Sequence, residues 1–87
     1  MTASVKSNSP ISHSAKVPLR IALVEDQADV RENWIQLINS FPDLDCVCVC
    51  KTGEEALRVI PKTKPEVVLM DIFLPRMSGI ECTARLR

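Results

Sequence analysis

Apolar and polar residues follow several rhythms along this chain, and each change of rhythm marks an element. Residues 19–24, Leu-Arg-Ile-Ala-Leu-Val, form a short apolar run of strand length that is followed at once by Glu25 and Asp26. Val30, Trp34, Leu37, Ile38 and Phe41 then recur mostly at spacings of three and four, which predicts a helix over about 27–40 with one apolar face. Asp29 and Glu32 sit in its first turn, where acidic groups suit the helix dipole, and Pro42 ends it. Residues 44–50 alternate as a second strand, with Val47 and Val49 on one side and Cys46, Cys48 and Cys50 on the other. Thr52-Gly53-Glu54-Glu55 has the form of a capping box, opening a second helix that turns Ala56, Leu57 and Ile60 inward and stops at Pro61. A third strand is predicted over 66–70, where Val67, Val68, Leu69 and Met70 are apolar on both faces, as in a central parallel strand. Ser78-Gly79-Ile80-Glu81 repeats the capping pattern and begins a third helix.

Strand and helix alternate three times, which is the α/β pattern: right-handed crossovers place helices on both faces of a parallel sheet. Such sheets bind ligands beyond the carboxyl ends of their strands, and that is where the acidic residues stand. Glu25 and Asp26 follow the first predicted strand, and Asp71 follows the third. If those strands are neighbours, three carboxylates crowd one edge, and a hard, oxygen-seeking cation relieves their repulsion. A lone aspartate at a strand end often does no more than cap a turn. Here a second acidic pair and the loop Leu74-Pro75-Arg76-Met77-Ser78-Gly79 accompany it, which points to magnesium and phosphate chemistry with Asp71 as nucleophile.

The acidic pair ending one strand, Asp71 ending another and the turn Leu74-Pro75-x-Met77-x-Gly79 together resemble the receiver domain of two-component response regulators over 19–87. The resemblance implies a flavodoxin-like, doubly wound parallel sheet in the order 2-1-3 for the three predicted strands. It further implies that Asp71 accepts a phosphoryl group from the phosphohistidine of a sensor histidine kinase or phosphotransfer protein. Mg2+ would be held by Asp26 and Asp71 directly, by the backbone carbonyl of Phe73, and by Glu25 through water. Pro75 and Gly79 would shape the loop after the acceptor. Receivers continue through two more strands and helices, with a Ser or Thr after the fourth strand and a Lys after the fifth. Those positions would lie beyond Arg87, so the chain is expected to be the first part of a receiver, without enzyme activity of its own. On that expectation the strand over 67–70 has an open edge that invites pairing with other chains.

Two other functions compete. A phosphohydrolase of the haloacid dehalogenase type also uses an aspartate after an apolar strand, but it carries a second acid two residues on, where this chain has Phe73. An interaction module that keeps the receiver shape without phosphorylation is the other, and the three acids argue against it. Arg76 could meet phosphate or simply be a solvated surface arginine. Trp34 lies on the apolar stripe of its helix and reads as packing.

Composition adds little that is specific: 87 residues, 46% hydrophobic, 25% charged and net charge zero describe one small domain, with no bias toward nucleic acid. Residues 1–18 are Ser-rich, carry Lys6 and Lys16 and no acid, and read as a disordered extension to the partial domain at 19–87. No stretch is apolar enough for a membrane span, and a cytoplasmic protein is expected. Cys46, Cys48 and Cys50 read as small apolar residues on a strand. Alternate side chains stand about 6.6 Å apart, too far for a disulfide or for a tetrahedral zinc site.

Overall fold

A strand without a polar face belongs inside a sheet, and the Val67-Val68-Leu69-Met70 run is placed there. The computed structural model describes residues 2–6 and 17–87, with side chains from Val17 onward. Its elements are β1 (Thr2–Lys6), β2 (Leu19–Val24), α1 (Ala28–Asn39), β3 (Leu44–Cys50), α2 (Gly53–Thr63), β4 (Val67–Asp71) and α3 (Gly79–Leu86). The strands lie in the order β1-β4-β2-β3. β2 pairs in parallel with both β3 and β4, so the three predicted strands take the expected 2-1-3 order of a doubly wound α/β fold.

Alternation along the strands sorts side chains onto two faces. Ala22, Val24, Val68 and Met70 join Ala56, Ile60 and Cys82 in a buried cluster beneath α2 and α3. Ile21 and Val67 meet Ile38 of α1 on the opposite face. Burying a side chain of this size is worth roughly 1.5–3 kcal/mol, and most of that burial lies on the α2–α3 side.

The capping patterns hold in part. Thr52 Oγ1 accepts the N–H of Glu55 at 3.0 Å, while Glu55 reaches back to the N–H of Lys51 at 2.6 Å. Ser78 Oγ accepts the N–H of Glu81 at 3.1 Å, but the Glu81 carboxylate pairs with Arg85 one turn on. α1 has no side-chain cap at Gln27.

Four local expectations change. Pro61 does not end α2; the helix runs to Thr63 and closes on Lys64, whose φ of 49° is left-handed and whose N–H bonds the Ile60 carbonyl. A proline removes one helical donor, and the last turn is held from outside by Arg20, whose guanidinium donates to the carbonyls of Thr63 and Lys64. The cysteines do not share a face. The β2–β3 register pairs Ile21 with Cys46 and Ala22 with Cys48, so Val47 is a bulge residue. An extra residue shifts the alternation by one: Cys46 turns toward the α1 side, Cys48 and Cys50 toward α2 and α3. Cys48 and Cys50 bring their sulfurs to 3.5 Å, and all four cysteines are free thiols. Leu37 on α1 and Phe41 just beyond it, both assigned to the apolar stripe, are 50% and 51% exposed, because the helix leans on Ile38.

The fourth change concerns the N-terminal extension. Thr2–Lys6, read as part of a disordered arm, forms β1 and pairs antiparallel with β4, from Thr2 opposite Asp71 to Lys6 opposite Val67. The edge of β4 expected to be open is therefore taken by the chain's own main-chain groups; residues 1 and 7–16 lie outside the described residues. Composition missed this strand because edge pairing is made by backbone N–H and C=O groups, which every residue but proline carries. Deleting residues 1–6 should re-expose that edge. We expect concentration-dependent self-association in sedimentation velocity and faster amide exchange across Val67–Asp71. A deletion variant that stays monomeric with unchanged exchange would show that β1 does not protect the edge.

Candidate functional site

Main-chain pairing delivers the acidic residues to one place. The parallel register of β2 and β4 sets Val24 opposite Met70, so Glu25 and Asp71 leave the sheet side by side. They are the two buried charged residues among those described, at 4% and 5% exposure. Asp26 is half-buried beside them. One carboxylate oxygen from each of Glu25, Asp26 and Asp71 lies within 4.8 Å of the other two.

The two buried carboxylates are treated differently. Burial pushes the Glu25 carboxyl from its ordinary 4.5 up to about 7, helped by the hydrogen bond and charge it shares with Asp71 and opposed by the Gln27 N–H. Burial alone would raise Asp71 as well. The N–H of Phe73, which donates to Asp71 Oδ1 at 3.0 Å, together with the hydrogen bonds from Glu25 and Asp26, instead holds it below its usual range. Asp71 is thus biased toward its ionised form and Glu25 toward its protonated form. Like charges this close disfavour joint ionisation, and such a division relieves them. The same donor set, hard oxygens with an excess of negative charge, suits a divalent cation such as Mg2+.

The loop after Asp71 is held by contact at close range. The Gly79 N–H donates to the Ile72 carbonyl at 2.8 Å. A Cβ on Gly79 would stand 2.0 Å from the Asp71 carbonyl oxygen and 2.7 Å from Ile72 Cα. Glycine is required there for the backbone approach, since its φ is not positive. Met77, on the same loop, lies against Gly53 at the start of α2, with its Sδ 3.2 Å from where a Cβ would be. Arg76 takes a left-handed φ of 65°, stays exposed and lies 3.7 Å from Glu54. Phe73 turns its side chain to solvent at 73% exposure.

Glu25, Asp26 and Asp71 are thus brought together, and Phe73 adjoins them through its N–H. Sequence reasoning left Arg31 without a role. Its Nη1 donates to the main-chain carbonyls of Glu25 at 3.1 Å and of Asp26 at 3.3 Å. The available signal was its position in the first turn of a helix just after an acidic pair, where side chains lean back toward the helix N-terminus.

Comparison with known proteins supports the same reading. The sequence matches the response regulator receiver domain family over residues 21–87. It is 38% identical over 68 residues to a protein-glutamate methylesterase/protein-glutamine glutaminase of Syntrophus aciditrophicus, covering 78% of this chain and 19% of that protein. It is 39% identical over 66 residues to the uncharacterized transcriptional regulatory protein YxjL of Bacillus subtilis, covering 76% of this chain and 30% of the relative. The chain therefore spans less than a third of these relatives. Among solved structures, the response regulator domain of Thermotoga maritima CheB superposes with a TM-score of 0.71 at 37% identity, covering 75% of this chain and 48% of that one. The CheX-CheY-BeF3-Mg+2 complex of Borrelia burgdorferi gives 0.72 at 25% identity, covering 80% and 53%. No helix among the described residues is long and apolar enough to cross a membrane.

Two outcomes follow from this geometry. Gly79→Ala should destabilise the fold by about 3 kcal/mol, toward the upper end of overpacking costs, read as a lower urea midpoint; an unchanged midpoint would contradict the close approach at Asp71. Glu25 has its folded pKa raised, so the folded state holds the extra proton between about pH 4.5 and 7. Stability of the metal-free chain should therefore fall as pH rises through that window. Glu25→Gln, or saturating magnesium, should flatten the profile measured by thermal melts.

Proposed function

The chain belongs to the response regulator receiver domain family, and on that footing we propose that Asp71 accepts a phosphoryl group from the phosphohistidine of a sensor kinase or phosphotransfer protein. The observation that carries this reading is the convergence of Glu25, Asp26 and Asp71 at the carboxyl ends of β2 and β4. A carboxylate oxygen of Asp71 attacks phosphorus, the phosphorus–nitrogen bond of the donor breaks, and the electron pair returns to the imidazole, leaving an acyl phosphate on Asp71. Asp71 is suited to this by its depressed pKa, which keeps the nucleophile ionised, and by the Phe73 N–H, which fixes one oxygen and leaves the other to react.

Mg2+, when bound, supplies positive charge that cancels the repulsion between three carboxylates and the incoming phosphoryl oxygens. Asp26 and Asp71 would hold it directly, with the Phe73 carbonyl as a third protein oxygen and Glu25 acting through water. The Borrelia burgdorferi complex, which contains BeF3 and Mg2+, supports assigning the same chemistry here. The matched relatives are named for different activities, a protein-glutamate methylesterase in one and a transcriptional regulatory protein in another. On this reading the segment is the phosphoacceptor module, not itself an enzyme, and it works in the cytoplasm without binding nucleic acid.

Treating the protein with magnesium and acetyl phosphate, then mapping the adduct by mass spectrometry, should place the label on Asp71. Asp71→Asn should abolish it; label on Asp26, or undiminished label in Asp71→Asn, would overturn the assignment. In a magnesium titration followed through Trp34, Asp26→Ala should weaken binding more than Glu25→Ala, because the first removes a direct charged ligand. Equal losses, or a larger loss at Glu25, would overturn those two roles.

A further inference from the structure

We propose that Arg31 is a positioning residue for this site, a strap from α1 that fixes the turn carrying Glu25 and Asp26 so that both carboxylates converge on Asp71. The inference rests on the magnesium-binding, phosphoacceptor reading above and goes beyond it by giving a role to a residue outside the acidic cluster.

The turn between β2 and α1 needs such a device. β2 is tied to its neighbours through Val24, and the Glu25 N–H still bonds the Cys50 carbonyl at 3.0 Å. Beyond that point the chain leaves the sheet, and the first helical bond runs from the Arg31 N–H to the Gln27 carbonyl. Gln27 provides no side-chain cap. Between the last sheet bond and the first helical one, the carbonyls of Glu25 and Asp26 both accept from Arg31 Nη1, at 3.1 and 3.3 Å. One nitrogen thus bridges two successive peptide groups, and the side chains of those same two residues are the carboxylates facing Asp71.

Charge adds to geometry. The guanidinium is always protonated and binds through a planar fork of N–H groups. Its positive charge rests on the main-chain carbonyls of the turn, behind carboxylates held within 4.8 Å of one another. It binds there without itself occupying a carboxylate oxygen. Groups that orient metal ligands from behind typically change metal affinity about 10–100-fold when removed.

The test compares the unaltered protein with Arg31→Met, which keeps the stem and removes the donors, and Arg31→Lys, which keeps the charge and loses the fork. We expect Arg31→Met to raise the magnesium dissociation constant about tenfold, read by Trp34 fluorescence, and to speed amide exchange at Gln27, whose N–H bonds Glu25. Arg31→Lys should recover most of the affinity. At saturating magnesium, labelling of Asp71 by acetyl phosphate should approach the unaltered rate in both variants, since the strap acts through the pocket and not on phosphorus. Unchanged affinity and exchange in Arg31→Met would overturn the proposal while leaving the site reading intact. Absence of magnesium binding by the unaltered protein would overturn both. Should circular dichroism show Arg31→Met unfolded, Arg31→Gln takes its place against the same tenfold expectation.

Discussion

The parallel register of β2 against β4 is the constraint on which the rest depends. Pairing Ile21 with Val67 and Val24 with Met70 aligns two strands whose side chains are nearly all apolar and whose burial supplies much of the core. That same alignment carries Glu25 and Asp71 out of the sheet together. The closeness of like charges is therefore imposed by main-chain hydrogen bonding and apolar burial, which outweigh it. The charges then respond locally, with Glu25 biased toward its protonated form and Asp71 toward its ionised form.

Around that edge, small residues and straps take the place of bulk. Gly79 lets α3 begin against the backbone of Asp71 and Ile72, closer than any side chain would allow. Gly53 accepts Met77 from the loop after β4 and offers its carbonyl to the Cys82 thiol, so α2 and α3 meet over a short distance. Arg20 and Arg31 do comparable work at opposite ends of the sheet: each donates from its guanidinium to two carbonyls where regular pairing has stopped. Positive charge is suited to this because carbonyl groups at element ends carry unsatisfied negative partial charge. The loop after β4 is anchored by Gly79 and Met77, while Arg76 and Phe73 remain exposed at its surface.

Much of this was legible from residue order alone. Periodicity separates strand from helix because the two backbones repeat every two and every 3.6 residues, and it located β2, α1, β3, α2, β4 and α3 to within a few residues. The acidic pair, Asp71 and the Pro75 to Gly79 turn could be named because their chemistry is carried by side-chain type and by position after an apolar run. What periodicity could not supply was everything made by main chain across a distance. The strand Thr2–Lys6 has no distinctive composition, since it pairs through peptide groups. The bulge at Val47, which sends Cys46 to one face and Cys48 and Cys50 to the other, arises from β3 matching its partner and not from its own alternation. The exposure of Leu37 and Phe41 likewise depends on how α1 leans on the sheet.

The sequence by itself thus determined which residues can do chemistry and which element each one ends, because those properties belong to single side chains and to local repeats. Only the tertiary structure decided that Glu25 and Asp71 stand shoulder to shoulder, that Gly79 must lack a side chain, and that Arg31 reaches back to two carbonyls. Each of these is a close approach between separate elements or across a turn, and it exists only once register and crossover have set the distance.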